Sequence, residues 1–185
     1  MRLVVLFTLL LNVSNSYKIL VFNSKFAHSH VKYLAKIADI LVEAGHDVTT
    51  LLSDLNPIYP NSTELSRVIY VPPDADATTE LLQLSRTTLD PFIHDARGWI
   101  SAILTGKYLG KIFAKQCGKV IRTSNLLKEL KDEKYDVMIT ENFDYCGIGL
   151  SHVVSPRAVI TVSSSAMFDL SAMHLGLPLG QSYNP

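Results

Sequence analysis

"KILVFNSKFAHSHVKYLAKIADILVEAGHDVTTLL", residues 18–52, decides the fold, because three elements follow one another in it. "KILVF", 18–22, is an unbroken apolar run, as a strand buried on both faces requires. With Ser29 as N-cap, Val31, Leu34, Ile37, Ala38, Leu41 and Val42 recur at three- and four-residue spacing, which is one face of an amphipathic helix. Gly45 ends that helix as a C-cap glycine, and "DVTTLL", 47–52, is a second strand. Two strands joined through a helix in this way are parallel, with a right-handed crossover.

The pattern extends outward from this unit. "RVIYV", 67–71, is a third strand, closed by Pro72-Pro73. From Thr78 to Lys134 the periodicity is helical, with a break at Asp90-Pro91, a long helix around Ile93 to Ile121 and a last helix in "SNLLKELKDEK". "YDVMIT", 135–140, is a fourth strand, Tyr145 to Val154 a short helix, and "AVITVS", 158–163, a fifth strand. Strands alternating with helices predict a mostly parallel sheet covered on both faces, a Rossmann-like doubly wound α/β domain. "GLPLGQSYNP" at the end reads as linker, so the domain is expected to be half of something larger.

At 185 residues the chain is long enough for one such domain. Its 17 Lys+Arg and 17 Asp+Glu are balanced and interspersed, so no field draws it to nucleic acid or anionic lipid. Residues 1–16, "MRLVVLFTLLLNVSNS", have the early Arg, apolar run and small residues of a secretory signal peptide, with an uncleaved anchor or a buried strand as the competing reading. A mature chain is then expected to begin at Tyr17, in the secretory lumen, as residues 17–185. Asn61-Ser62-Thr63 is a glycosylation sequon in a turn-rich stretch. Cys117 and Cys146 could pair in an oxidising lumen. Neither has a partner at a motif spacing, so free, half-buried cysteines are expected and no zinc site. After residue 16 no apolar run reaches the length of a membrane-spanning helix.

Ligands of open parallel sheets sit beyond the carboxyl ends of the strands. The loops expected there are 23–30, 141–146 and 164–170. The first contains no glycine, which argues against NAD or FAD. It offers His30 instead, near the first turn of the helix, whose positive dipole end disfavours the imidazolium form and leaves the ring able to accept a proton. Glu141 and Asp144, in "TENFDYC", are candidate carboxylate partners, with Glu141 the better placed. Such a pair suits deprotonating a hydroxyl of the substrate. The plain alternative is a polar helix start and two turn-making acids. His28 with His30 could form a metal pair, but no third ligand is evident.

Phe92, Trp99, Ile103, Phe113, Met167 and Phe168 either line an apolar acceptor pocket or belong to the core. Ser163-Ser164-Ser165 follows a strand yet lacks the G-x-S-x-G elbow, which argues against a hydrolase using Ser164. His46, His94, His152 and His174 have no evident carboxylate partner and read as structural.

Taken together, "KILVFNSKFAHSHVKYLAKIADILVEAGHDVTTL", "KYDVMITENFDYCGIGL" and "ITVSSSAMFDLSAMHLGLPLGQSYNP" resemble the amino-terminal half of the UDP-glucuronosyltransferases, nematode type. The resemblance implies a GT-B fold, with this chain as its acceptor-side Rossmann-like domain and the donor domain outside it. It implies His30 as catalytic base and Glu141 as its support, at a position where many relatives have Asp. It further implies inverting transfer, without a metal or cofactor, from UDP-glucuronate or UDP-glucose to a small lipophilic acceptor. Such enzymes work in the lumen of the endoplasmic reticulum, held by a carboxy-terminal membrane helix that has no counterpart in these residues. A competing expectation is a non-catalytic lumenal module that binds lipophilic ligands or associates with full-length relatives and modulates them. Either way, apolar surface is expected at the carboxyl ends of the strands, with a tendency to associate.

Overall fold

A computed structural model of the protein describes residues 16–60, 63–87, 99–165 and 176, without the side chains of 86–87 and 99–102. Along the chain run β1 (Lys18–Lys25), α1 (His28–Glu43), β2 (Asp47–Asp54), β3 (Arg67–Val71), α2 (Ala75–Thr87), α3 (Trp99–Arg122), α4 (Leu126–Asp132), β4 (Val137–Glu141), α5 (Tyr145–Val154) and β5 (Ala158–Val162). The five strands form one sheet in the order β3-β2-β1-β4-β5, and every neighbouring pair is parallel. This is the Rossmann-like architecture that the alternation of elements predicts.

The side-chain alternation of a strand explains why β1 is apolar throughout: successive residues face opposite layers, and both layers are covered. Ile19 and Val21 join Val48 and Ile139 against Leu34 and Ala38 of α1. Leu20 and Phe22 join Leu51, Val71 and Met138 against Val120 of α3, Leu126 and Leu130 of α4, and Cys146, Leu150 and Val154 of α5. A smaller cluster of Leu55, Ala77, Leu81, Leu84, Ile112 and Phe113 holds α2 onto α3. Gly45 adopts the positive φ (90°) that terminates α1. Gly147 has a different role: a Cβ there would collide with Thr140 Oγ1 and the Phe22 ring, so α5 lies on β4 and β1 only because the side chain is missing.

Three local expectations change. First, β1 does not stop at Phe22. Asn23, Ser24 and Lys25 continue the ladder opposite Leu52, Ser53 and Asp54. Their polar side chains are accommodated rather than excluded. Asn23 Nδ2 donates to the Val31 carbonyl, and the buried Lys25 Nζ lies 2.9 Å from Asp54 Oδ2, which also accepts from Tyr70 OH. Second, α1 starts at His28, with Ala27 in extended conformation at the N-cap and no side-chain cap bond, so Ser29 sits inside the first turn instead of capping. The loop expected at 23–30 shrinks to Phe26 and Ala27. Third, Cys117 and Cys146 are not free. They form a disulfide with Cα atoms 5.6 Å apart, joining α3 to the first turn of α5. The two helices pack over the same sheet face, and that proximity leaves no trace in the spacing of the cysteines.

Candidate active site

The strand order reverses between β1 and β4, so the loops after them diverge and leave a crevice at the carboxyl ends of the strands. His30 enters it from the first turn of α1. Glu141, the last residue of β4, meets it: His30 Nδ1 is 2.8 Å from both carboxylate oxygens. Both side chains are largely withdrawn from water, 13% and 8% exposed. An ionised carboxylate only accepts, so Nδ1 carries the hydrogen and donates it. In the neutral ring Nε2 is then the accepting atom.

Ser164, two residues past β5, completes the arrangement. Its backbone N–H donates to Glu141 Oε1 at 2.9 Å, its hydroxyl donates to the same oxygen, and its Oγ lies 2.8 Å from His30 Nδ1. Burial pushes the Glu141 carboxyl up, but the hydrogen bonds from His30 and Ser164 outweigh it and hold the group below the usual glutamate range. The geometry also argues against the hydrolase reading of Ser164. In a nucleophilic triad serine and acid occupy opposite ring nitrogens, whereas here both sit at Nδ1.

Three aromatic rings gather around the base. Phe26 lies 4.4 Å from His30 between centroids and stacks on Phe143 at 5.0 Å. Phe143 is 5.3 Å from His30, and Phe113 meets Phe26 and Phe143 edge-on at 5.1 and 5.7 Å. On the far side of Phe113 and Phe143 opens a cavity of about 970 Å³ between α3 and α5. Its walls are mainly apolar, with Leu109, Phe113, Ile121 and Val153 prominent, and the disulfide forms part of them. Gly106, Gly110 and Gly149 also border it, and a Cβ at any of the three would meet nothing within 4 Å. The space is of the size and character of a small-molecule site.

The other candidates separate clearly. Asp144 does not reach His30: it caps α5, accepting from Cys146 N at 2.8 Å, and burial pushes its carboxyl up. His28 is exposed, with its ring 5.7 Å from that of Tyr59, so it diverges from His30. Among the described residues no group of three or more His, Cys, Asp or Glu is placed to hold a metal ion. Phe113 lines the cavity, whereas Ile103 is exposed on α3 outside it. Trp99 opens α3, but its side chain, like Asn61, Phe92, Met167 and Phe168, lies outside the described residues. His46 accepts from Tyr17 N at 3.4 Å, His152 is exposed in the last turn of α5, and His94 and His174 lie outside the described residues. Exposed Phe143 and Tyr145 supply the apolar surface expected at the carboxyl ends.

Sequence reasoning missed Phe26, Phe143 and the role of Ser164. For the two rings a signal existed: each is a large aromatic set among polar residues next to a candidate, in "SKFAH" and "TENFDYC".

The sequence model of the family described as "UDP-glucoronosyl and UDP-glucosyl transferase" matches residues 17–185. The chain belongs to that family. Two Caenorhabditis elegans proteins named as UDP-glucuronosyltransferases, ugt-56 and ugt-46, are 29% and 28% identical to this chain, over 88% and 98% of its length. Human UDP-glucuronosyltransferase 3A2 is 25% identical over 94% of it. The chain spans about a third of the length of these curated relatives (31%, 34% and 32%). Among solved structures, the calicheamicin glycosyltransferase CalG4 and the Streptomyces glycosyltransferase SsfS6 both superpose with a TM-score of 0.50, at 13% and 20% identity. They are matched over 88% and 87% of this chain and 38% and 47% of their own. The fold is therefore the Rossmann-like one of GT-B glycosyltransferases.

Proposed function

We propose that this UDP-glycosyltransferase chain forms the acceptor side of an inverting sugar transfer, with His30 as the base. The observation that carries the reading is the fixed tautomer: Nδ1 is committed to Glu141, so Nε2 is the atom available to a substrate hydroxyl. As the acceptor oxygen attacks the anomeric carbon of a UDP-sugar, its proton passes to Nε2. The bond from that carbon to the UDP oxygen breaks on the opposite face, and UDP departs with the electron pair. Glu141 faces the imidazolium that forms and stabilises it without moving. The acceptor is a small lipophilic molecule, consistent with the apolar cavity beyond Phe113 and Phe143. UDP-glucuronate or UDP-glucose is taken to be presented by a second domain facing the carboxyl ends of the strands. Transfer uses no metal or cofactor in this proposal. The disulfide fits a secretory lumen such as that of the endoplasmic reticulum, with residues 1–16 as the signal that leads there.

A second reading has its own support. The cavity is built from this chain's residues alone, so binding of lipophilic ligands needs no other domain. On that reading the chain is a lumenal binding module, or a modulator that associates with full-length relatives. Calorimetry with UDP-glucuronate, UDP-glucose and 1-naphthol, followed by a transfer assay, separates the two. Transfer that disappears in His30→Ala supports the enzyme. Naphthol binding with neither nucleotide binding nor transfer, even when a relative's donor domain is supplied, refutes it and leaves the binding module.

A further inference from the structure

We propose that Ser164 is a positioning residue that locks the Glu141 carboxylate and, through it, the tautomer of His30; this rests on the base assignment above. A glutamate reaches its partner through several rotatable bonds, and contact with one histidine does not fix a carboxylate that can swing. Here the backbone N–H and the hydroxyl of Ser164 converge on one oxygen, Oε1, while Oε2 stays with His30 at 2.8 Å. The backbone part of this anchor is set by the sheet. Glu141 is in register with Val162 of β5, and Asn142 N donates to the Val162 carbonyl at 3.1 Å, which carries the chain on to Ser164. The hydroxyl does two jobs at once. Its hydrogen goes to Glu141, so its lone pair faces Nδ1–H at 2.8 Å. Both contacts favour an ionised carboxylate and a proton on Nδ1, which in the neutral ring leaves Nε2 as the atom that accepts. Ser164 thus acts through its two neighbours and transfers no proton itself.

The test is NMR of the full chain with 13C-labelled glutamate carboxyls and 15N-labelled histidine rings, followed across pH in the wild type, Ser164→Ala and Ser164→Thr. In Ser164→Ala the Glu141 carboxyl is expected to titrate at higher pH than in the wild type, and the Nε2–H tautomer of His30 to gain population. Ser164→Thr keeps the hydroxyl and the backbone N–H and is expected to restore both signals. If Ser164→Ala does not fold, Ser164→Cys, of similar size but a poor donor, carries the same expectation. A folded Ala or Cys variant with an unchanged Glu141 titration and an unchanged His30 tautomer overturns the proposal. These readouts need no sugar transfer: a chain that shows both shifts yet never transfers sugar counts against the function proposed above and leaves the role of Ser164 intact.

Discussion

Two glycines two residues apart on α5, and so on opposite faces of the helix, should respond to the same substitution with opposite signs. Gly147→Ala puts a methyl group where Thr140 Oγ1 and the Phe22 ring already stand, on the buried face of the helix. Neither neighbour can retreat easily. Phe22 is 2% exposed and Thr140 0%, each inside the sheet layer that α5 covers. Overpacking of this kind costs about 1–3 kcal/mol. Gly149→Ala meets nothing within 4 Å on the exposed side. Replacing a helical glycine with alanine gains up to about 1 kcal/mol where nothing clashes. For a chain of this size a change of 1 kcal/mol moves Tm by about 2–4 °C. Gly147→Ala is therefore expected to melt about 2–12 °C below the wild type, and Gly149→Ala at or slightly above it, in far-UV circular dichroism melts. Thr140→Ala removes the colliding hydroxyl and should recover part of the loss in the double variant, with a coupling of about 0.5–3 kcal/mol. Equal shifts in the two single variants, or additive behaviour with Thr140→Ala, would refute the claim that α5 is seated through the missing Cβ of Gly147.

Replacing Glu141 with Gln puts an amide opposite Nδ1 and frees the ring to turn its lone pair the wrong way; a fall in single-turnover transfer to a phenol of about 10²–10⁴-fold is expected. The same variant should flatten the acid limb of stability. The Glu141 carboxyl is held low in the fold, so its contribution is present above the unfolded value of about 4.3 and lost as pH falls through the folded one, as urea titrations at successive pH values will show. Asp144 is shifted the opposite way: its burial favours the protonated form, so its charge weakens the fold as pH rises. Asp144→Asn keeps the cap on Cys146 N and is expected to raise Tm at pH 7, with the gain vanishing below about pH 3.9. Opening the disulfide, through Cys117→Ala with Cys146→Ala or by reduction, frees a span of 29 residues in the unfolded chain and should cost about 3–4 kcal/mol in denaturant unfolding.

The layers of this molecule were legible in its sequence because both signals that carry them are local. The apolar run at 18–22 and the three- and four-residue spacing from Val31 to Val42 each sit within one element, and the elements appear where those patterns put them. Element ends were less legible. Polar Asn23, Ser24 and Lys25 look like loop until Asp54 and the Val31 carbonyl, from other elements, are there to receive them. His30 and Glu141 could be named as candidates because each follows a strand whose end must face the crevice. Asp144 shared that property with Glu141, and only the backbone course, which turns Asp144 back onto Cys146 N, separates the two. Ser164 was visible as a serine after a strand, but its assignment depended on which ring nitrogen it faces. Cys117 with Cys146 was the least legible pair, since the angle between two helices has no signature in either helix.

The strand order also sets when this site can come into being. β1 pairs with β2 across a short crossover, Lys18 opposite Asp47, so the first half-sheet can form while the chain is still growing. The β1–β4 ladder instead joins Ile19 to Val137, and it is this ladder that brings His30 to Glu141, 111 residues away. Closing so wide a loop is among the slow, late steps of folding. Until it closes, His30 stands without its acid. The His30–Glu141 pair is thus absent from every nascent or half-folded form in which β1 and β4 have not yet met.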